Sequence, residues 1–150
     1  MANSFLQVYI HYVFSTKNRE PLIDPGMENE LWKYMAGVAK YNHLNPLIIN
    51  GTEDHAHVLI SLPSTTTIGK AIQQIKGASS FWMNGNLDEN SGFKWQAGYG
   101  AFSVAQSNLK NTIAYIKNQK EHHKSQSFED EYLELLNKNG VLYDKRYLWG

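Results

Sequence analysis

Residues 53–61 read EDHAHVLIS, and Pro63 ends the run. Val58, Leu59 and Ile60 have strand character, and side chains alternate faces along a strand. His55, His57, Leu59 and Ser61 therefore share one face, while Ala56, Val58, Ile60 and Leu62 share the other. The second face is uniformly apolar and belongs against a layer of helices. The first opens with two imidazoles one residue apart. Such a pair presents two neutral nitrogens a few Å apart, which suits a divalent metal if a third ligand arrives from elsewhere. Two half-exposed histidines at a strand end is the other reading of the same pair.

Upstream, "FLQVYIHYVFS" (5–15) alternates in the same way, with Leu6, Val8, Ile10, Tyr12 and Phe14 on an apolar face. Gln7, Tyr9, His11 and Val13 form the mixed face. Pro21 and "DPG" (24–26) mark a loop. Residues 27–41 carry Met27, Leu31, Tyr34, Met35 and Val38 at helical spacing. "NPLIING" (45–51) is a short strand and "GTED" turns the chain into the quoted one. Downstream, Thr65 to Thr67 offer caps for a helix over 68–83, with Ile68, Ala71, Ile72, Ile75 and Trp82 on one stripe. Residues 84–98 read as loop and "YGAFSVA" (99–105) as a strand. Ser107 or Asn108 caps a long helix to about 124. "SFEDEYLELLNKNG" is a last helix, with Ser127 as cap, Glu129, Asp130 and Glu131 in its first turn and Gly140 as stop.

Strand, helix, strand, strand, helix, strand is the split βαβ, ferredoxin-like plan, an α+β fold with an antiparallel sheet and helices on one face. Its first and third strands are adjacent and central. Leu6, Val8 and Ile10 then align with Ala56, Val58 and Ile60 under the helices. The histidine pair faces the opposite, open side, beside Tyr9 and His11. The expected organisation is one domain over 1–150: a core over 1–105, a helix over 106–125, and a C-terminal helix and tail over 126–150.

In "NLKNTIAYIKNQKEHH" (108–123), Leu109, Ile113 and Ile116 form the apolar stripe. Tyr115 lies well off it, among Asn111, Asn118, Gln119 and His122. Tyr115 and Gln119 are at i and i+4, on one face. Gln119 can give a metal a carbonyl oxygen, and His122 and His123 are rival ligands. A solvated polar face with a snorkelling tyrosine is the plain alternative.

The 150 residues fit one domain with a sizeable core. No apolar run reaches the roughly 18 residues of a membrane helix, and the N-terminus lacks the pattern of a signal peptide. There are no cysteines, so disulfides and thiolate metal sites are excluded. A cytoplasmic protein with no membrane partner is expected. The formal charge is zero, but its distribution is uneven: residues 1–54 are net −2, 55–120 net +4 and 121–150 net −2. A polyanion fits the basic middle despite the neutral total; ordinary scatter of surface charge gives the same count.

"HYVFSTKNREPLI", "DHAHVLIS", "WQAGYGAFSV", "AYIKNQKEHH" and "SFEDEYLELLNKNGVLYDKRYLW" occur in this order. Together they resemble the single-tyrosine HUH transposases of small insertion sequences and their repeat-associated relatives, from about residue 5 to the C-terminus. Ala56 departs mildly, since larger aliphatics are usual between the histidines, and so does the neutral charge. The resemblance implies cutting and rejoining of single-stranded DNA at a hairpin-containing element end. His55, His57 and Gln119 then hold Mg²⁺ or Mn²⁺, and Tyr115 attacks phosphorus to give a 5′-phosphotyrosine. Lys70, Lys76, Lys110, Lys117 and Lys120 are candidate phosphate contacts. Trp95, with Phe93, Tyr99 and Trp82, is a candidate to stack unpaired bases, although Trp82 reads first as core. Asp54 reads as a partner behind the metal ligands or as a plain turn acid. The resemblance also implies a homodimer whose active sites take histidines from one chain and Tyr115 from the other, with docking of the tyrosine helix on its own chain as the alternative. The alternative function is a non-catalytic, domesticated hairpin-binding protein.

Overall fold

The computed structural model describes residues 3–86 and 92–150. The elements are β1 (Tyr9–Ser15), α1 (Glu28–Tyr41), β2 (Asn45–Gly51), β3 (His55–Ser61), α2 (Ile68–Asn86), β4 (Gly100–Val104), α3 (Leu109–Lys117), α4 (Gln119–His122) and α5 (Phe128–Lys138). The sheet order is β2-β3-β1-β4, antiparallel throughout, with β1 and β3 central as the sequence predicts. Pro46, which cannot donate to a ladder, sits on the edge strand β2 beside a register shift.

The main core lies between the sheet and helices α1 and α2. Ile10, Tyr12 and Phe14 from β1 meet Ala56, Val58 and Ile60 from β3, under Leu31, Met35, Ile72 and Ile75. Leu6 and Val8 do not join them; they precede the strand and are exposed. Ile68 is exposed too, because α2 begins there, and Met83 takes a core place instead. Thr67 caps α2 by accepting from the Lys70 amide at 3.1 Å. The helix runs three residues past the expected end at 83. The rest of the expected loop includes residues 87–91, with Asp88 and Glu89, which lie outside the described residues.

The second face of the sheet is not open. Phe128, Tyr132 and Leu136 recur at i, i+4 and i+8 on α5 and pack against Val13 and Phe102, with Leu148 and Trp149 of the tail at the margin. The mixed face of β1 has too few apolar groups to predict this cover from β1 alone. The stripe on α5 supplies it, and the polar groups beneath pair with one another. Ser127 caps α5 by accepting from the Asp130 amide at 3.2 Å. Gly140, at φ +67°, ends it: its amide donates to Asn137 and that of Val141 to Leu136, so two terminal carbonyls are satisfied.

The tyrosine helix is interrupted. Asn118 leaves helical geometry at φ −97° and ψ 24°, ending α3 at Lys117. The cause is a remote side chain. Asn50 Nδ2 of β2 donates to the carbonyls of Ile116 (3.0 Å) and Lys117 (3.2 Å), acceptors that a continuing helix uses itself. The same bonds dock α3 on the edge of its own sheet.

Candidate active site

β3 delivers His55 and His57 to the second face, where both are fully buried. The turn before it needs Gly51, because a Cβ there collides with the His55 carbonyl and meets Trp32. His55 stacks on Phe128 of α5, ring centroids 4.6 Å apart. Its Nδ1 lies 2.8 Å from Oδ1 of Asp54 and 3.0 Å from Oγ1 of Thr52. His57 Nδ1 lies 2.8 Å from Nε2 of His11, itself buried on β1. Each histidine thus has one ring nitrogen held from behind, which leaves the two Nε2 atoms facing the same space.

Glu131 of α5 fills that space. Its Oε1 is 3.1 Å from His57 Nε2, 3.0 Å from His123 Nε2 and 3.5 Å from His55 Nε2. Its Oε2 accepts from Gln119 Nε2 at 3.1 Å and from the Tyr115 hydroxyl. Burial alone would raise the Glu131 carboxyl, but hydrogen bonds from His123 and His57 and the charges of His57 and His55 reverse this and hold it far below the carboxylate range. Burial lowers His57, with Glu131 opposing. His11 is lowered by burial and then by His57. His123 is raised, because its bond to Glu131 and that charge outweigh its burial. Tyr115 is pushed up, by burial first and then by the charge of Glu131, so the phenol is protonated at rest.

The donor set fits a divalent cation. Ligand atoms of His55, His57 and Glu131 lie within 4.8 Å of one another, all on buried residues. Gln119 is fully buried and adds a carbonyl oxygen 2.8 Å from His55 Nε2. Glu131 only accepts, so the Gln119 amide must turn its nitrogen to the carboxylate and its oxygen to His55. With His55 donating through Nδ1 to Asp54, two lone pairs then face each other, which a cation or an extra proton satisfies. Two imidazoles with carbonyl and carboxylate oxygen suit Mn²⁺, or Mg²⁺ through the oxygens.

The expected residues His55, His57, Gln119 and Tyr115 therefore converge within one chain, with no second chain's helix needed to complete the set. Asp54 stands behind His55. His123 reaches the site through Glu131, whereas His122 lies against the Tyr115 ring, centroids 4.7 Å apart. Glu131 is the residue that sequence reasoning missed. Its signal was an acid on the apolar stripe of α5, between Phe128 and Tyr132, read only as a first-turn acid.

The expected DNA contacts scatter. Lys110 and Lys117 are exposed on α3, and Lys70 is exposed at the start of α2. Lys120 pairs with Glu28. The Lys76 ammonium is turned inward, donating to the carbonyls of Gln96 (2.7 Å) and Gly98 (2.9 Å), and burial lowers its pKa to about 8. Trp95 is not placed to stack a base. It is buried edge-on against Phe14 and Phe93, and its Nε1 donates to Ser79 Oγ at 2.9 Å. Phe93 is buried with it, because the segment before β4 packs under α2 rather than looping away. Trp82 stacks on Tyr34, and Tyr99 lines an open groove of about 560 Å³ between α2 and residues 94–99. Among the described residues, no helix is long and apolar enough to cross a membrane.

The family model described as "Transposase IS200 like" matches residues 4–119. No curated protein matches. Two solved structures share the fold. One is a candidate transposase from Deinococcus radiodurans R1, 20% identical, covering 79% of this chain and 96% of that one, with a TM-score of 0.63. The other is a REP-associated tyrosine transposase bound to a REP hairpin, 13% identical, covering 82% of this chain and 73% of that one, with a TM-score of 0.60.

Proposed function

The chain belongs to the IS200-like transposases, and from that premise we propose that it cuts and rejoins single-stranded DNA at hairpin-containing element ends through a 5′-phosphotyrosine. The observation that carries this reading is the meeting of the Tyr115 hydroxyl with Glu131 beside His55, His57 and Gln119. The hairpin in the complex of the REP-associated transposase supports the form of the DNA.

His55, His57 and Gln119 would hold Mg²⁺ or Mn²⁺, and Oε1 of Glu131 would be a fourth donor. The bound ion supplies Lewis-acid polarisation of the scissile phosphate. Tyr115 Oη attacks phosphorus, and the bond from phosphorus to the 3′-oxygen breaks. The phenol proton passes to Oε2 of Glu131, the acceptor it already touches, and the departing 3′-oxygen takes up a proton. Burial and the charge of Glu131 disfavour free phenolate, so the proton has to leave as the bond to phosphorus forms and not before. Joining reverses the step: a 3′-hydroxyl attacks the phosphotyrosine and the phenol is restored, so no nucleoside triphosphate is consumed. Exposed Lys110 and Lys117, on the same helix as Tyr115, are the phosphate contacts of this reading, with exposed Lys70 and the Glu28-paired Lys120 as further candidates. A homodimer remains part of it, with each chain carrying a whole site.

The test is incubation with labelled single-stranded hairpin oligonucleotides and Mn²⁺, followed by denaturing and native gels. A covalent adduct that disappears in Tyr115→Phe, with native-gel retention kept within a few-fold, supports the transposase. Retention without any adduct makes the protein a hairpin binder instead.

A further inference from the structure

A cleft of about 270 Å³ opens directly beside Tyr115 and is not used by any step above. One wall is a polar stripe: Asn108, Asn111, Thr112 and Tyr115 recur at i, i+3, i+4 and i+7, the spacing of a single helical face. The facing wall is the C-terminal end of α5, with Lys138 and Asn139. The floor is made by the rings of Phe102 and His11, which meet edge to face at 67°. The cleft is smaller than the ~300–1,000 Å³ of pockets that take drug-sized ligands. It has room for one planar group, not for a paired stem.

Its chemistry is selective. No carboxylate lines it, and its charged side chain is the ammonium of Lys138. The amides are only partly used by the protein. Asn111 Nδ2 donates to Asn108 Oδ1 at 3.2 Å and Asn139 Nδ2 to the Leu135 carbonyl at 2.8 Å. Among the described residues, the amide nitrogen of Asn108 and the amide oxygens of Asn111 and Asn139 have no protein partner, and Lys138 has no ion-pair partner. Donors and acceptors side by side match the edge of a nucleobase, and the Phe102 and His11 rings beneath give its body something to rest on. An ammonium at the rim matches the phosphate attached to it.

We infer that this cleft binds a single unpaired nucleotide next to the phosphate that Tyr115 attacks, and reads its base through Asn108, Asn111 and Asn139. The inference rests on the proposed function for the meaning of the site, but not for its test. The DNA near the cut is then read by the protein itself, one base at a time.

The experiment is two-dimensional amide NMR of the full chain, titrated separately with dAMP, dCMP, dGMP, dTMP and inorganic phosphate. The expected result is that at least one nucleotide shifts the side-chain amide signals of Asn108, Asn111 and Asn139, and that phosphate alone does not. Asn111→Leu should weaken that nucleotide about tenfold, the size of one good side-chain-to-base pair, with the rest of the spectrum intact. Lys138→Ala, at an exposed helix end, should weaken the nucleotide but not the corresponding nucleoside. Shifts with phosphate alone, shifts mapping elsewhere, no shifts, or full affinity in Asn111→Leu each overturn the inference. Nucleotide binding requires no cleavage. Covalent adduct without these shifts defeats this inference alone, and shifts without adduct defeat only the proposed function.

Discussion

The Tyr115 hydroxyl donates to Oε2 of Glu131, while Oε1 of the same carboxylate lies 3.1 Å from His57 Nε2. One carboxylate thus links the nucleophile candidate to the histidine pair. Glu131→Gln keeps the shape and removes the proton acceptor. Adduct formation should slow by about 10²–10⁴-fold, the usual worth of a positioned general base, and Mn²⁺ affinity should fall as an anionic donor is lost. Single-turnover gels and calorimetry read the two effects separately. An adduct rate within twofold of wild type would take the carboxylate out of the chemistry.

His11 makes a narrower case. It touches none of the other donors except through His57 Nδ1, at 2.8 Å. His11→Leu leaves that nitrogen without a partner and frees the ring to choose the wrong tautomer. Mn²⁺ affinity should drop about 10–100-fold, as for other partners behind metal-ligating histidines. His57→Ala should abolish binding and Gln119→Ala should weaken it. Calorimetry that finds His11→Leu equal to wild type sinks the positioning role.

Much of this site was legible in the chain. The His-Ala-His spacing on a two-faced strand, and Tyr115 with Gln119 off the apolar stripe of their helix, name four of its residues. The core was legible where alternation is strict, as at Ile10, Tyr12 and Phe14. Three features were not. Asn118 breaks the helix because Asn50, far away in sequence, takes two of its carbonyls, and no local propensity records that. Trp95 reads as a loop aromatic because nothing in the local sequence shows that residues 92–98 pack under α2. Glu131 was masked by its neighbours: among Glu129, Asp130 and Glu131 at a helix start, dipole complementarity explains all three, and only the phase of Phe128 and Tyr132 singles out the third.

Lys76 offers a pH test away from the site. Burial lowers its pKa from 10.5 to about 8 in the folded chain. Below pH ~8 both states hold the proton and its contribution is constant. Between about pH 8 and 10.5 the unfolded chain still binds a proton that the folded chain has released, so stability rises with pH through this window. Denaturant melts should therefore show wild type gaining on Lys76→Met from pH 8 to 10.5, relative to their difference at pH 7. A difference that is flat, or that moves toward the variant, means that the carbonyls of Gln96 and Gly98 keep the ammonium charged and that burial does not decide its state.

The arrangement of the chain also decides what mixing two inactive variants will do. α3 is fastened to its own β2 by the two Asn50 bonds, and Tyr115 reaches a carboxylate that contacts the histidines of the same chain. In such a protein every site in a mixture of His57→Ala and Tyr115→Phe carries one lesion, whether or not the chains dimerise. No adduct should form after mixing, with subunit exchange verified by mass-tagged chains. If α3 instead crossed to a second chain, one site of each heterodimer would carry both lesions and the other neither, and up to a quarter of wild-type activity would return for random exchange. Recovery on that scale would show that the helix changes partners on the way to catalysis. It would also turn the Asn50 bonds into a latch that must open first, so Asn50→Ala would then speed the recovery.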